Sequence, residues 1–180
     1  SGHGHKAEWA PVRKLIRTTN PEPVNRVLGV NFTLNKASKF KTLIKMDMCM
    51  YTQQTVEMYQ NVPGAPPLRP KVLSPWYEPT PQEVLAAANE SSKSGVFSHC
   101  AASLLMKALY LARMVRLECA YTSNYMAKYV TKWNSLCDKQ LCQLFSYLAN
   151  SINTTRNAVV DSRDLNDLTI EAYPDAGLSG

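Results

Sequence analysis

LIKMDMCMYTQQTVEMYQN (43–61) changes its period midway. Residues 43–50 alternate, with Ile44, Met46, Met48 and Met50 on one side and Lys45, Asp47 and Cys49 on the other; a repeat of two predicts a strand. From Tyr51 the alternation stops, and Tyr51, Val56 and Tyr59 with Thr52 as N-cap predict a helix. A strand followed by a helix places both kinds of element in the chain. The methionine row reads as core filling, the common use of a flexible thioether side chain.

Upstream, AEWAPVRKLIRTT (7–19) sets Trp9, Val12, Leu15 and Ile16 on one helical stripe opposite Arg13, Lys14 and Arg17, and Pro11 confines the helix to the residues after it. NPEPVNRVLGVNFTL (20–34) turns at its prolines and then runs extended as a first strand, in which Gly29 suggests a bulge or a close backbone approach. With the strand at 43–50 it makes an N-terminal β-hairpin.

Downstream, residues 62–81 hold seven of the eleven prolines, which excludes helix and central strand and predicts an extended linker or wrapping segment. TPQEVLAAANESS (80–92) carries the strongest helix start in the chain: Thr80 as N-cap, Pro81 at the first helical position and Glu83 three residues beyond the cap. Two largely apolar helices are predicted at about 98–114 and 118–132, and SLCDKQLCQLFSYLANS (135–151) makes another with Leu141, Leu144, Phe145 and Leu148 on one face. NAVVDSRDLNDLTIEAY (157–173) reads as a C-terminal β-hairpin. The expected architecture is therefore α+β: an N-terminal β-hairpin with flanking helices, a Pro-rich linker, an α-helical bundle and a C-terminal β-hairpin.

The chain of 180 residues carries a formal charge of +6, unevenly spread: residues 1–50 hold nine Lys/Arg against three acids, and 151–180 hold two against five. A basic surface attracts polyanions, nucleic acid and anionic membrane alike. No apolar run approaches the ~20 residues needed to span a bilayer, so a soluble, intracellular protein is expected. Five cysteines without a C-x-x-C spacing read as reduced thiols rather than disulfides or zinc ligands. There is no Gly-rich phosphate loop, nucleophile elbow or metal-ligand cluster. Asp161, Asp164 and Asp167 lack the ligand pattern of an EF-hand and read as a solvated turn. Asp175 ends the alternating run 168–173, where a strand terminus can hold a carboxylate rigidly.

Taken in order, these pieces resemble the polymerase polyprotein of copia-type retrotransposons over residues 9–180. PEPVNRVLGV (21–30) is similar to the family's strand ending in Phe-Leu-Gly-Ile, and KMDMCMYTQQTVEMY (45–59) and KVLSPW (71–76) to the strand, helix and Pro-rich step that come next in it. SLLMKALYLARMVRLECAY (103–121) stands for the helix and Arg-Pro-Asp step, with Leu117 where the family has proline, and LFSYLANS (144–151) for its Tyr-Leu helix end. YPDAGLSG (173–180) resembles YSDADWAG, with Gly177 and Leu178 in place of the second Asp and the Trp.

The resemblance implies the end of a reverse-transcriptase palm or primer-grip region at 1–61, a Pro-rich linker at 62–81, a thumb- or connection-like helical region at 82–152, and the first strands of a truncated RNase H at 153–180. It makes Asp175 the first catalytic, Mg²⁺-binding carboxylate of RNase H in an incomplete site, because two Mg²⁺ ions need several carboxylates from separate elements. Mg²⁺ then belongs to the full-length polyprotein, and this part alone is expected to be inactive and to bind no metal tightly. The implied role is to hold the template–primer RNA/DNA duplex, with the rest of the polyprotein as partner and no membrane. The candidate nucleic-acid contacts are Arg13, Lys14, Arg17, Lys39, Lys41, Lys45 and Arg116, the last with an alternative as a structural ion-pair residue. A second reading is a domesticated stand-alone module that binds protein or nucleic acid without enzymatic activity, using an apolar groove of the bundle at 82–150. A third is a complete enzyme of another type.

Overall fold

The computed structural model describes residues 25–90 and 95–164, and within them the fold is α+β: a four-stranded antiparallel sheet and five α-helices. The order is β1 (Arg26–Val27), β2 (Val30–Lys36), β3 (Lys41–Asp47), α1 (Cys49–Gln60), α2 (Pro81–Ala88), α3 (Ala101–Met114), α4 (Ala120–Ala127), α5 (Ser135–Asn150) and β4 (Arg156–Asp161). Short 3₁₀ turns at Leu117–Cys119 and Val130–Lys132 flank α4. The single helix expected at 118–132 is thus a helical path broken at both ends by tighter turns.

The strand-to-helix switch falls earlier than the alternation suggests. β3 ends at Asp47, whose Oδ1 accepts from the Cys49 N–H at 2.7 Å, and Met48 is the N-cap of α1. Thr52 lies inside the helix, where its hydroxyl donates to the Met48 carbonyl at 3.0 Å. The buried stripe runs Met48, Thr52, Thr55, Val56, Tyr59, a 3.6-residue repeat, while Met50 is exposed. Two of those five positions are threonines, so an apolar-only reading cannot find the stripe.

Gly29 forms a two-residue turn, not a bulge. Leu28 and Gly29 both have positive φ (50° and 78°), and Val27 pairs with Val30 across them. This is the geometry that matches the twist of a tight hairpin. The Tyr110 hydroxyl of α3 donates to the Leu28 carbonyl and ties the turn to the helices.

β4 pairs antiparallel with β3 along its length, from Lys41↔Asp161 to Met46↔Arg156, so the sheet draws on both halves of the chain in the order β1-β2-β3-β4. The second strand of the C-terminal hairpin expected from the sequence lies outside the described residues. On the apolar face of the sheet, Val30 is fully buried and Phe32 and Met46 pack against the helical core, whereas Leu34 at the far end and Phe40 in the turn between β2 and β3 are exposed.

The core centres on Tyr59 of α1, whose ring is stacked between Phe97 (4.8 Å) and Phe145 of α5 (4.9 Å). Leu141, Leu144, Phe145 and Leu148 form the buried face of α5, as its spacing predicts. The five cysteines are reduced, and burial pushes the Cys119 thiol up to about 12 and the Cys49 thiol up to about 11. Such thiols are protonated and inert at neutral pH.

The Pro-rich segment wraps α5. Prolines offer no N–H, and the donors and acceptors that remain are met by side chains from one face of the helix. The Arg69 N–H donates to Ser146 Oγ (2.9 Å), the Lys71 N–H to Asn150 Oδ1 (2.9 Å), and Gln143 Nε2 to the Ser74 carbonyl (2.8 Å). Lys71, at φ 57°, turns the segment back on itself between the second and third contacts.

α2 begins with the capping box expected at Thr80–Glu83. Lys139 of α5, then the Thr80 N–H and the Tyr77 hydroxyl, hold the Glu83 carboxyl down to about 2. Because the folded pKa lies below the ordinary value of about 4.3, this contribution is complete above that range and is lost as pH falls through about 2. An NMR titration is expected to show the Glu83 carboxyl still ionised at pH 3.5; a midpoint in the ordinary range would mean that the tie between α2 and α5 is not formed.

Candidate nucleic-acid interface

Antiparallel register carries residues directly opposite one another to the same face. One face of the sheet therefore bears the rows Thr33–Lys45–Asn157, Asn35–Leu43–Val159 and Lys41–Asp161, with Asn31 opposite Asp47. Lys41 and Lys45 stand on this face about 13 Å apart along β3, and Lys39 lies in the turn before them with its Nζ 5.3 Å from the centre of the Phe40 ring. Three of the cations singled out in the sequence thus come together on one sheet. Arg26 joins the same face opposite Asn31, and Lys36 and Arg156 are exposed on the other. The sequence reading missed these three, and the signal that assigns them is the strand register.

Across residues 25–48 and 156–164 there are seven Lys/Arg against three Asp. Two of those acids are already engaged. Arg163 grips Asp161 through two hydrogen bonds (Nη2–Oδ2 2.6 Å, Nε–Oδ1 3.0 Å) and holds its carboxyl down to about 2. Hydrogen bonds from Cys49, the first residue of α1, lower the Asp47 carboxyl. Lys39, Lys41 and Lys45 form no ion pair among the described residues. The result is a surface on which two of the three acids have partners within the protein while Lys39, Lys41 and Lys45 are left without an ion pair among the described residues.

Arg116 does not belong to this surface. It is 1% exposed: Nε donates to Glu118 Oε1 (2.7 Å), Nη1 to the Ser151 carbonyl (3.0 Å) and Nη2 to Ser151 Oγ (2.6 Å), and the guanidinium lies 5.3 Å from the centre of the Tyr147 ring. Each nitrogen of the fork is engaged inside the protein, so no phosphate reaches it. Arg116 is the structural ion-pair residue of its two readings. Arg13, Lys14, Arg17 and Asp175 lie outside the described residues. Among the described residues no group of three or more His, Cys, Asp or Glu could hold a metal ion, and no helix is long and apolar enough to cross a membrane.

A second feature belongs to the helical unit. Tyr121, Tyr125 and Tyr129 succeed one another at four-residue spacing, and Trp76 meets Tyr121 and Tyr125 edge-on at 5.1 and 5.0 Å. The Tyr125 and Tyr129 rings are 5.3 Å apart, with their hydroxyls hydrogen-bonded at 3.2 Å. Beside them a cleft of about 220 Å³ opens between α2 (Val84, Ala87), the two tyrosines and the start of α5 (Asn134, Gln140). The 121/125/129 spacing was visible in the sequence, but only the fold brings α2 and α5 to it.

Fold and surface together define an α+β protein in which a basic sheet is joined to a helical unit with an aromatic cleft. No family model, curated protein or solved structure matches the chain.

Proposed function

We propose that the chain is a non-catalytic part of a retroelement polymerase polyprotein, acting inside the cell, that helps to hold an RNA/DNA hybrid through its sheet. The observation that carries this is the clustering of Lys39, Lys41 and Lys45 on a sheet whose nearest acids, Asp47 and Asp161, are already satisfied. Lysines with asparagine and threonine neighbours suit phosphate and sugar oxygens, contacts that position a duplex without reading its sequence. Mg²⁺ and the remaining RNase H carboxylates belong, on this reading, to the whole polyprotein, where Asp175 would contribute one ligand.

Binding of a mixed-sequence RNA/DNA hybrid to the full chain, measured by fluorescence anisotropy between 50 and 200 mM salt, tests it. Affinity is expected to fall linearly on logarithmic axes, each neutralised phosphate contributing about 0.9 to the slope. Replacing Lys39, Lys41 and Lys45 together with Gln is expected to reduce that slope by about 2 to 3. An unchanged slope in the triple variant sinks the sheet as the duplex-holding surface. Exposed Val84 and Leu85 on α2 favour the alternative protein-interaction module, whose signature would be a salt-insensitive partner and no hybrid binding.

A further inference from the structure

The aromatic cleft points to a separate ligand. Its volume, about 220 Å³, lies below the range of drug-sized sites, roughly 300–1,000 Å³, and matches a single planar ring system. No charged side chain among the described residues lines it, so a neutral ligand suits it. One wall is aromatic, and the Tyr129 hydroxyl together with burial pushes the Tyr125 hydroxyl up to about 12, which keeps that wall uncharged at physiological pH.

The decisive side chain is Gln140. It is 3% exposed, it lines the cleft, and its amide makes no hydrogen bond among the described residues. The one fully enclosed side-chain nitrogen or oxygen without a partner among the described residues is Ser123 Oγ, so the unpaired Gln140 amide keeps contact with solvent and can exchange water for a ligand. The other amide at the cleft, Asn134, is already used: its Oδ1 accepts from the Cys137 N–H at 3.0 Å as the cap of α5, and its Nδ2 faces the Ala87 carbonyl at 3.5 Å. A primary amide presents one donor and one acceptor in a plane, and the ring system complementary to it carries an acceptor beside a donor on one edge. Glutamine meets the amino group and ring nitrogen of adenine in this way, and base faces stack on aromatic side chains. A proline-rich peptide fits less well, because the indole N–H that would be offered to its carbonyls, Trp76 Nε1, already donates to Glu78 Oε2 at 2.7 Å.

We propose that this cleft binds a single unpaired adenine, packed against the wall that Tyr125 and Tyr129 form, with its amino edge on the Gln140 amide. The site is independent of the duplex-holding sheet, since a base seated there cannot be paired and none of Lys39, Lys41 and Lys45 lines it.

The test uses the full chain with adenosine, purine riboside, a short oligo(dA) and an abasic strand of the same length. Adenosine or oligo(dA) is expected to shift the Gln140 side-chain amide resonances. Purine riboside, which lacks the 6-amino group, is expected to bind about tenfold more weakly than adenosine, and the abasic strand about tenfold more weakly than oligo(dA). Gln140→Leu, of similar volume, should remove the preference for the amino group; if that variant misfolds, the ligand comparison on the unaltered chain decides alone. Preference seen with adenosine assigns the site to free nucleosides as well as strands, and preference seen only in oligo(dA) assigns it to an unpaired strand; both support the proposal. Equal binding of all four probes, or no shift of the Gln140 amide with either adenine ligand, overturns it. The Lys39/Lys41/Lys45→Gln variant should keep the adenine preference, so that loss of hybrid binding and loss of base binding are read separately.

Discussion

Asp138→Ala is expected to destabilise the folded chain by about 3–5 kcal/mol, a large effect for one side chain. Asp138 sits in the first turn of α5, buried, and its carboxylate accepts from the Val96 N–H (2.6 Å), the Phe97 N–H (3.2 Å) and the Trp133 indole N–H (2.7 Å). Removing it leaves three donors with no partner in the protein, each costing about 1–3 kcal/mol less whatever water recovers. It also removes a negative charge from a helix N-terminus, where it is favoured. The surroundings leave little room to adjust. A Cβ on Gly95 would stand 2.6 Å from Trp133 Cδ1 and 2.9 Å from Asp138 Oδ1, so the loop passes as close to the carboxylate as glycine allows. Asp138→Asn keeps one acceptor oxygen and should lose roughly half as much. Urea unfolding of both variants measures this; a loss under about 1 kcal/mol for Asp138→Ala would show that the three donors find water and that the carboxylate is not what pins Trp133.

Arg116→Met is expected to cost about 3 kcal/mol, the lower end of the range for breaking a buried ion pair, because Glu118 is partly exposed and can rehydrate. Methionine fills much of the volume, so the loss reports the guanidinium and not the packing. That guanidinium closes the C-terminal end of α5 through the Ser151 carbonyl and hydroxyl, the end at which a cation is favoured. Arg116→Lys keeps the charge but cannot reach Glu118 and Ser151 together, and should recover less than half of the loss. Below its melting temperature, Arg116→Met should bind an RNA/DNA hybrid as tightly as the unaltered chain. A normal Tm with weakened hybrid binding would return Arg116 to the phosphate contacts.

The limits of a sequence reading are visible in particular residues. α2 is legible because a capping box is a contact between residues three apart, and the buried face of α5 because one helix spacing sets Leu141, Leu144, Phe145 and Leu148 side by side. The start of α1 is misread by a few residues, since Met48 and Met50 continue an alternation that the chain abandons at Asp47; a methionine under the helix N-terminus and a methionine in a strand look the same in one dimension. Of the candidate cations, charge alone cannot separate Lys41, exposed on the sheet, from Arg116, enclosed by Glu118, Tyr147 and Ser151.

By itself the sequence determined features that depend on neighbours within a turn or two of backbone: the mixed α+β class, the capping box at Thr80–Glu83, the alternation of β3 as far as Asp47, the proline segment that cannot be helix or central strand, and the reduced cysteines. Tertiary structure alone decided that β4 closes on β3 more than a hundred residues earlier, that the proline segment wraps α5, and that Gln140 faces a cleft of tyrosines without a partner. The physical reason is that local preferences are set by sterics and short hydrogen bonds, whereas these pairings are chosen by which distant surfaces bury the most apolar area while leaving the fewest polar groups unmet.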